Sequence, residues 1–136
     1  MNCILVVEDN PADVFLIRQA LTSAGLVSDY SIVYADDGEE ALEKLALLRS
    51  ESLHLIVLDL NRPKSGGLEI LQSIRADPAF SHTLVVTWTS SLAPHETERL
   101  FELGVNHHIV KPMRLEDYVA IGPLLRDLLA SSQSFV

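Results

Sequence analysis

Five short apolar runs recur along this chain at strand length: Ile4–Val7, Ser31–Ala35, Leu53–Leu60, Leu84–Thr89 and His108–Lys111. Several are continuously apolar rather than alternating, which requires burial on both faces, as in a parallel sheet covered by helices. Amphipathic stretches separate them. The first opens with Asn10 as an N-cap and Pro11 at the first helical position. Val14, Ile17, Leu21 and Ala24 then mark one helical face, and Gly25 closes it. The second runs from Gly38 with Ala41, Leu42, Leu45 and Leu48 on one side, and the third carries Leu68, Leu71 and Ile74 and stops at Asp77-Pro78. A fourth opens at Pro94-His95-Glu96, with acid where the helix dipole favours it, and ends at Gly104. A fifth runs from Leu115 toward Ser131, with Gly122-Pro123 expected to break or kink it. Strand and helix alternate five times with short connections, which predicts one α/β domain: a doubly wound parallel sheet of five strands with five helices.

Composition narrows the function classes. A chain of 136 residues suits a single domain, with a core expected over about residues 3–130. Ten Lys and Arg against 19 Asp and Glu give a net charge of −9. That balance argues against nucleic acid and against an anionic membrane surface, since both demand basic residues to meet phosphates. One cysteine, Cys3, excludes a disulfide framework or cysteine zinc cage and fits a reducing compartment. The start Met1-Asn2-Cys3 has no basic region of the kind that opens a signal peptide, and no apolar run reaches the ~18 residues of a membrane span. A cytoplasmic location is expected.

The informative polar residues stand at the carboxyl ends of the apolar runs: Glu8 and Asp9, Asp59, Thr89 and Lys111. Open α/β sheets bind ligands in the crevice outside those ends, where the strand order switches direction. With strands one and three adjacent, Glu8, Asp9 and Asp59 converge, and three packed carboxylates raise one another's pKa unless a cation joins them. An all-oxygen set suits Mg²⁺, which keeps waters and serves phosphoryl groups. Thr89 adds a hydroxyl and Lys111 a point charge for a phosphate oxygen. Taken singly each has an ordinary reading: Asp59 as a turn former, Glu8-Asp9 as a solvated turn, Thr89 as a strand former, and Lys111 as a surface charge. The five histidines, at 54, 82, 95, 107 and 108, lack metal-ligand spacing.

In order and spacing these residues resemble the receiver domain of bacterial two-component response regulators. The matching segments are Val6-Val7-Glu8-Asp9-Asn10, Leu58-Asp59-Leu60-Asn61-Arg62-Pro63, Thr89-Ser90-Ser91 and Val110-Lys111-Pro112. Asp59 and Thr89 are 30 residues apart and Thr89 and Lys111 are 22 apart, similar to the family's register. Glu8–Asp13 and the turn Arg75-Ala76-Asp77-Pro78 look most like the small stand-alone regulators that partner cyanobacterial and bacterial phytochromes. The resemblance implies a flavodoxin-like sheet of order 2-1-3-4-5 and a domain over 1–136 with no output domain. It implies Asp59 as phosphoacceptor from a sensor histidine kinase, of phytochrome type, with signalling by partner binding or phosphorelay. It implies Mg²⁺, or Mn²⁺ in its place, on Asp9 and Asp59, with Glu8 through water and the Asn61 backbone carbonyl. Thr89 and Lys111 would bind the phosphoryl group, Asn61 and Ser91 would tune its hydrolysis, and the Lys111–Pro112 bond would be cis. The chain would catalyse its own phosphotransfer and slow dephosphorylation without being an enzyme on a separate substrate.

The departures are specific. His108 stands where the family has an aromatic switch residue, and it titrates near neutrality. The loop Arg62-Pro63-Lys64-Ser65-Gly66-Gly67 carries extra basic charge. A homodimer through the fourth helix, fifth strand and fifth helix is expected from Leu124, Leu125, Leu128 and Leu129, with packing of those leucines on the sheet as the alternative. Phe15 and Leu16 lie off the first helix's core-facing stripe, where kinases dock in this family. Two rival functions remain: a receiver-like docking module that is never phosphorylated, and a small Mg²⁺ phosphatase with an Asp nucleophile. The phosphatase requires a second acid two residues after the nucleophile, where this chain has Asn61.

Overall fold

The computed structural model describes residues 2–48, 52–60, 67–90 and 94–133. Five strands form one sheet: β1 (Asn2–Val7), β2 (Ser31–Ala35), β3 (Ser52–Asp59), β4 (Leu84–Thr89) and β5 (His107–Val110). All pairings are parallel and the order is β2-β1-β3-β4-β5. Six helices are described: α1 (Pro11–Ser23), α2 (Leu26–Asp29), α3 (Gly38–Leu47), α4 (Gly67–Ala76), α5 (Pro94–Glu102) and α6 (Ile121–Gln133).

The strands alternate their side chains between two apolar layers. Leu5, Val7, Ile56 and Leu58 pack with Leu45, Ile70, Ile74 and Leu100 of α3, α4 and α5. Ile4, Val6, Val57, Val86 and Trp88 pack on the other face with Ile17 and Leu21 of α1 and Leu125 and Leu129 of α6. Each fully buried Leu or Ile is worth about 1.5–3 kcal/mol, so a sheet buried on both faces carries most of the stability. Cys3 is buried within the first layer. Asn10 caps α1 by accepting from the N–H groups of Ala12 and Asp13, which fixes where that helix begins, directly after β1.

Several expectations need correction. Five helices were expected; the sixth, α2, is a single turn that follows Gly25, whose φ of 75° needs no Cβ to clash. Leu42 and Leu68, expected on buried stripes, are exposed, and Ile70 takes the core position in α4. The fifth expected helix divides. Leu115–Ala120 is a 3₁₀ helix, and α6 begins at Ile121. Gly122-Pro123 is thus not a break inside a helix but its first turn, where proline's missing N–H costs nothing. Of the four leucines beyond it, Leu125 and Leu129 are buried and Leu124 and Leu128 pack against the same layer, so they do not form a free face.

Gly122 is required by a close approach of α6 to α1. A Cβ there would fall on the carbonyl oxygen of Ala20 and 2.9 Å from the Ala24 Cβ. Gly122→Ala is therefore expected to destabilise the fold by about 2 kcal/mol despite alanine's better helix propensity, because backbone cannot yield as a flexible side chain does. Urea denaturation checks this; an unchanged midpoint would show that the two helices can part without loss.

Candidate functional site

The carboxyl ends of β1 and β3 meet where the strand order reverses, and among the described residues the buried charges collect there. Glu8 leaves β1 with its N–H donating to Ala35 O at 3.0 Å. Its side chain is buried, and Oε2 accepts from the backbone N–H groups of Asp9 and Asn10 at 3.0 and 3.1 Å. Asp59 is the last residue of β3, in register with Trp88 of β4. Glu8, Asp9 and Asp59 each present a carboxylate oxygen, all within 4.8 Å of one another.

Lys111, one residue past β5, reaches into this group. Its Nζ donates to Glu8 Oε1 and to Asp13 Oδ2, both at 2.9 Å, and stands 3.4 Å from Asp59 Oδ1. It also sits over the Trp88 indole, 4.6 Å from the ring centroid. Burial by itself would lower the Lys111 pKa, but its hydrogen bonds to Asp13 and Glu8 and the charges of Glu8 and Asp59 outweigh it and raise it. The ammonium therefore stays charged. Burial, then a hydrogen bond that protonated Glu8 donates to Asp59, pushes Glu8 from 4.5 up to about 7, against the opposing pull of Lys111 and the Asn10 N–H.

A pH dependence follows. Glu8 is protonated more readily in the folded chain than in the unfolded one, so its ionisation costs stability as pH rises from about 4.5 through about 7. The metal-free protein is expected to lose up to about 3 kcal/mol from this group between pH 5 and 8. Mg²⁺ favours ionised Glu8, so its stabilising effect should grow over the same range. Urea titrations with and without Mg²⁺ at the two pH values check both signs; a metal effect that shrinks toward pH 8 contradicts them.

The structure brings Glu8, Asp9, Asp59 and Lys111 together, with Thr89 buried at the end of β4. Asn61 and Ser91 lie outside the described residues, as does the basic loop at 62–66. No peptide bond among the described residues is cis, so the Lys111–Pro112 bond is trans and the expected cis bond is corrected. Trans is the favoured X-Pro isomer by about 0.5–1 kcal/mol, and Lys111 reaches Glu8, Asp13 and Asp59 from it.

His108 takes up a role that its sequence position did not specify. Thr87 and Thr89 point to one face of β4, and His108 lies opposite Thr87 in register. Its Nδ1 is 2.8 Å from Thr87 Oγ1 and its Nε2 3.3 Å from Thr89 Oγ1. Burial, and then the nearby His107, lowers its pKa below the ordinary 6.5. The ring is thus neutral at pH 7, one nitrogen donating and the other accepting. Asp13 is the site residue that the sequence reading missed. Its only trace in the sequence is an acid at the third position of a helix whose capped N-terminus starts at the crevice, and nothing there names Lys111 as its partner.

Three carboxylates with one buried ammonium, at the strand ends of a parallel sheet, define an acid cluster that suits a hard divalent cation. Three clustered carboxylate oxygens, with Glu8 raised by burial and then by Asp59, fit Mg²⁺, which takes one or two carboxylates and keeps its waters. The chain belongs to the response regulator receiver domain family, whose profile matches residues 4–121. It is 32% identical over 121 residues to the response regulator Rcp1 of Synechocystis, covering 84% of this chain and 79% of Rcp1. It is 32% identical to the crystal structure of the phosphorylated cyanobacterial phytochrome response regulator RcpA, with a TM-score of 0.81 over 95% of this chain and 94% of RcpA. The Mn²⁺-bound form of Rcp1 gives a TM-score of 0.72 at 30% identity, covering 91% of each chain. A probable cyclic di-GMP phosphodiesterase of Vibrio cholerae is 32% identical over 82% of this chain, but the match spans only 24% of that protein. The family, the flavodoxin-like fold and the strand order 2-1-3-4-5 agree with the expectation from sequence. No helix among the described residues is long and apolar enough to cross a membrane.

Proposed function

We propose that this chain is a phosphorylation-controlled switch in which Asp59 accepts a phosphoryl group from a sensor histidine kinase. The observation that carries the reading is the position of Asp59: its carboxylate lies within 4.8 Å of those of Glu8 and Asp9 and 3.4 Å from the buried ammonium of Lys111. An Asp59 oxygen forms the new P–O bond in line as the P–N bond to the kinase imidazole breaks. The electron pair leaves with the imidazole nitrogen, and an acyl phosphate results. Phosphoryl transfer of this kind needs positioning and charge neutralisation more than covalent help. Mg²⁺, with Mn²⁺ as a substitute, would be held by Asp9 and Asp59, with Glu8 through water and the Asn61 carbonyl, and would supply positive charge to the phosphoryl oxygens. Lys111 neutralises a further oxygen, and Thr89 turns its hydroxyl from His108 toward the phosphoryl group. Asn61 and Ser91, two residues beyond Asp59 and Thr89, set water access and so the lifetime of the phosphate.

The names of RcpA and Rcp1 support a phytochrome-type kinase as the donor. Exposed Phe15 on α1 offers that kinase an apolar contact beside the acid cluster. Phe101, Val110, Met113, Leu115 and Val119 are exposed along α5, β5 and the 3₁₀ helix, and we assign homodimerisation and phosphorylation-dependent partner binding to that face. The chain acts in the cytoplasm and turns over no separate substrate.

The test is transfer of radiolabelled phosphoryl from an autophosphorylated phytochrome-type histidine kinase. The label is expected to move to this chain, to require Mg²⁺ and to be released by hydroxylamine, as an acyl phosphate is. Label that survives hydroxylamine would place the phosphate on another residue and contradict the assignment.

A further inference from the structure

Asp13 has no part in the phosphoryl chemistry above, yet it holds one of the two shortest contacts of Lys111. The ammonium has three N–H groups, and its two contacts at 2.9 Å go to Glu8 and Asp13, with Asp59 farther off at 3.4 Å. A phosphoryl oxygen on Asp59 must therefore win Lys111 from a carboxylate that already has it. Glu8 is ill placed to yield: it is buried, and its other oxygen is tied to the N–H groups of Asp9 and Asn10. Asp13 is the more loosely kept partner. Its side chain is 17% exposed, and it stands in the first turn of α1, where the helix dipole steadies its charge without Lys111.

Asp13 also faces another element. The helix α1 that carries Asp13 packs against the 3₁₀ helix Leu115–Ala120, and Tyr118 of that helix feels the charge of Asp13. The Tyr118 ring stands edge-on to Trp88, centroids 6.4 Å apart at 82°, and Trp88 in turn lies under the Lys111 ammonium. Leu115 and Val119, on the same short helix, are 72% and 62% exposed. Asp13 thus joins the resting position of Lys111 to the segment that carries the exposed apolar side chains.

We propose that Asp13 is a positioning residue that holds Lys111 back from Asp59 in the resting protein, yields it when Asp59 is phosphorylated, and passes the change to Tyr118 and the 3₁₀ helix. This rests on Asp59 being the acceptor. It predicts an effect opposite to that of losing a structural ion pair: removing Asp13 tightens the site for a phosphoryl group instead of loosening it.

The experiment is a titration of the full chain with beryllofluoride, an acyl-phosphate mimic, at saturating Mg²⁺, followed by the fluorescence of Trp88, the single tryptophan. Asp13→Asn and Asp13→Ser are both expected to bind about fivefold more tightly than the wild type, the worth of one partly exposed ion pair. Hydrogen exchange over Leu115–Ala120 should rise in the wild type on beryllofluoride binding and be raised beforehand in both variants. Equal or weaker binding by the two variants overturns the restraint on Lys111, and exchange that does not respond overturns the link to Tyr118. A wild type that binds no beryllofluoride overturns the acceptor reading itself, and this one with it.

Discussion

Lys111→Met is expected to destabilise the metal-free protein by about 3–5 kcal/mol, the cost of removing one partner from a buried ion pair and leaving the other uncompensated. Lys111 is 7% exposed and its ammonium neutralises Glu8, Asp13 and Asp59 at once, so its loss leaves three carboxylates without their shared counter-charge. Methionine nearly keeps the volume, which confines the effect to charge and to the contact with Trp88. The loss should be smaller at pH 5.5 than at pH 8, because Glu8, already raised to about 7, can take a proton and relieve the crowding. Millimolar Mg²⁺ should restore part of it by supplying the missing positive charge. Urea denaturation at the two pH values measures both. A loss below about 1 kcal/mol, the range of an exposed pair, would show that the carboxylates do not depend on Lys111.

Asp59→Asn is expected to act in opposite directions on function and on stability. Asn has no carboxylate to form an acyl phosphate, so phosphoryl acceptance is lost altogether. The metal-free fold should nevertheless gain about 1 kcal/mol, since one of three mutually repelling acids is replaced by a neutral group of the same shape. Glu8 is raised partly by Asp59 and should fall back toward its ordinary value in the variant. Mg²⁺ affinity should drop about tenfold or more with the loss of a charged oxygen ligand. Thermal melting with and without Mg²⁺ separates these effects: the variant melts higher than the wild type without metal and gains less from adding it. A variant less stable than the wild type without metal would mean that Asp59 is held by its contacts in the fold and not strained by them.

Alternation of apolar runs with helical stripes located all five strands nearly to the residue, because both faces of this sheet are buried and each run is bounded by polar residues. Glu8, Asp9, Asp59, Thr89 and Lys111 were legible for the same reason: in a parallel sheet the strand end is the crevice. Leu42 and Leu68 were misplaced because their spacing fits a stripe that, in the fold, is narrower than the pattern. Gly122-Pro123 was read as an interruption; whether such a pair breaks a helix or begins one depends on where the preceding residues lie. Leu115–Ala120 winds as a 3₁₀ helix, and that places the pair in the first turn of α6. Asp13 and the His108 bridges to Thr87 and Thr89 were out of reach, since they join residues 98, 21 and 19 positions apart. The strand register and the turn after β1 decide those contacts, and neither leaves a periodic signal in the chain.

The most direct measurement is intact mass after incubation with acetyl phosphate and Mg²⁺, beside Asp59→Asn and a sample with chelator. One added phosphoryl group on the wild type, absent from both controls, is the predicted result. No adduct under rapid quench would contradict phosphoryl acceptance at Asp59 and leave a receiver fold used only for docking, and an adduct that persists in Asp59→Asn would move the acceptor elsewhere.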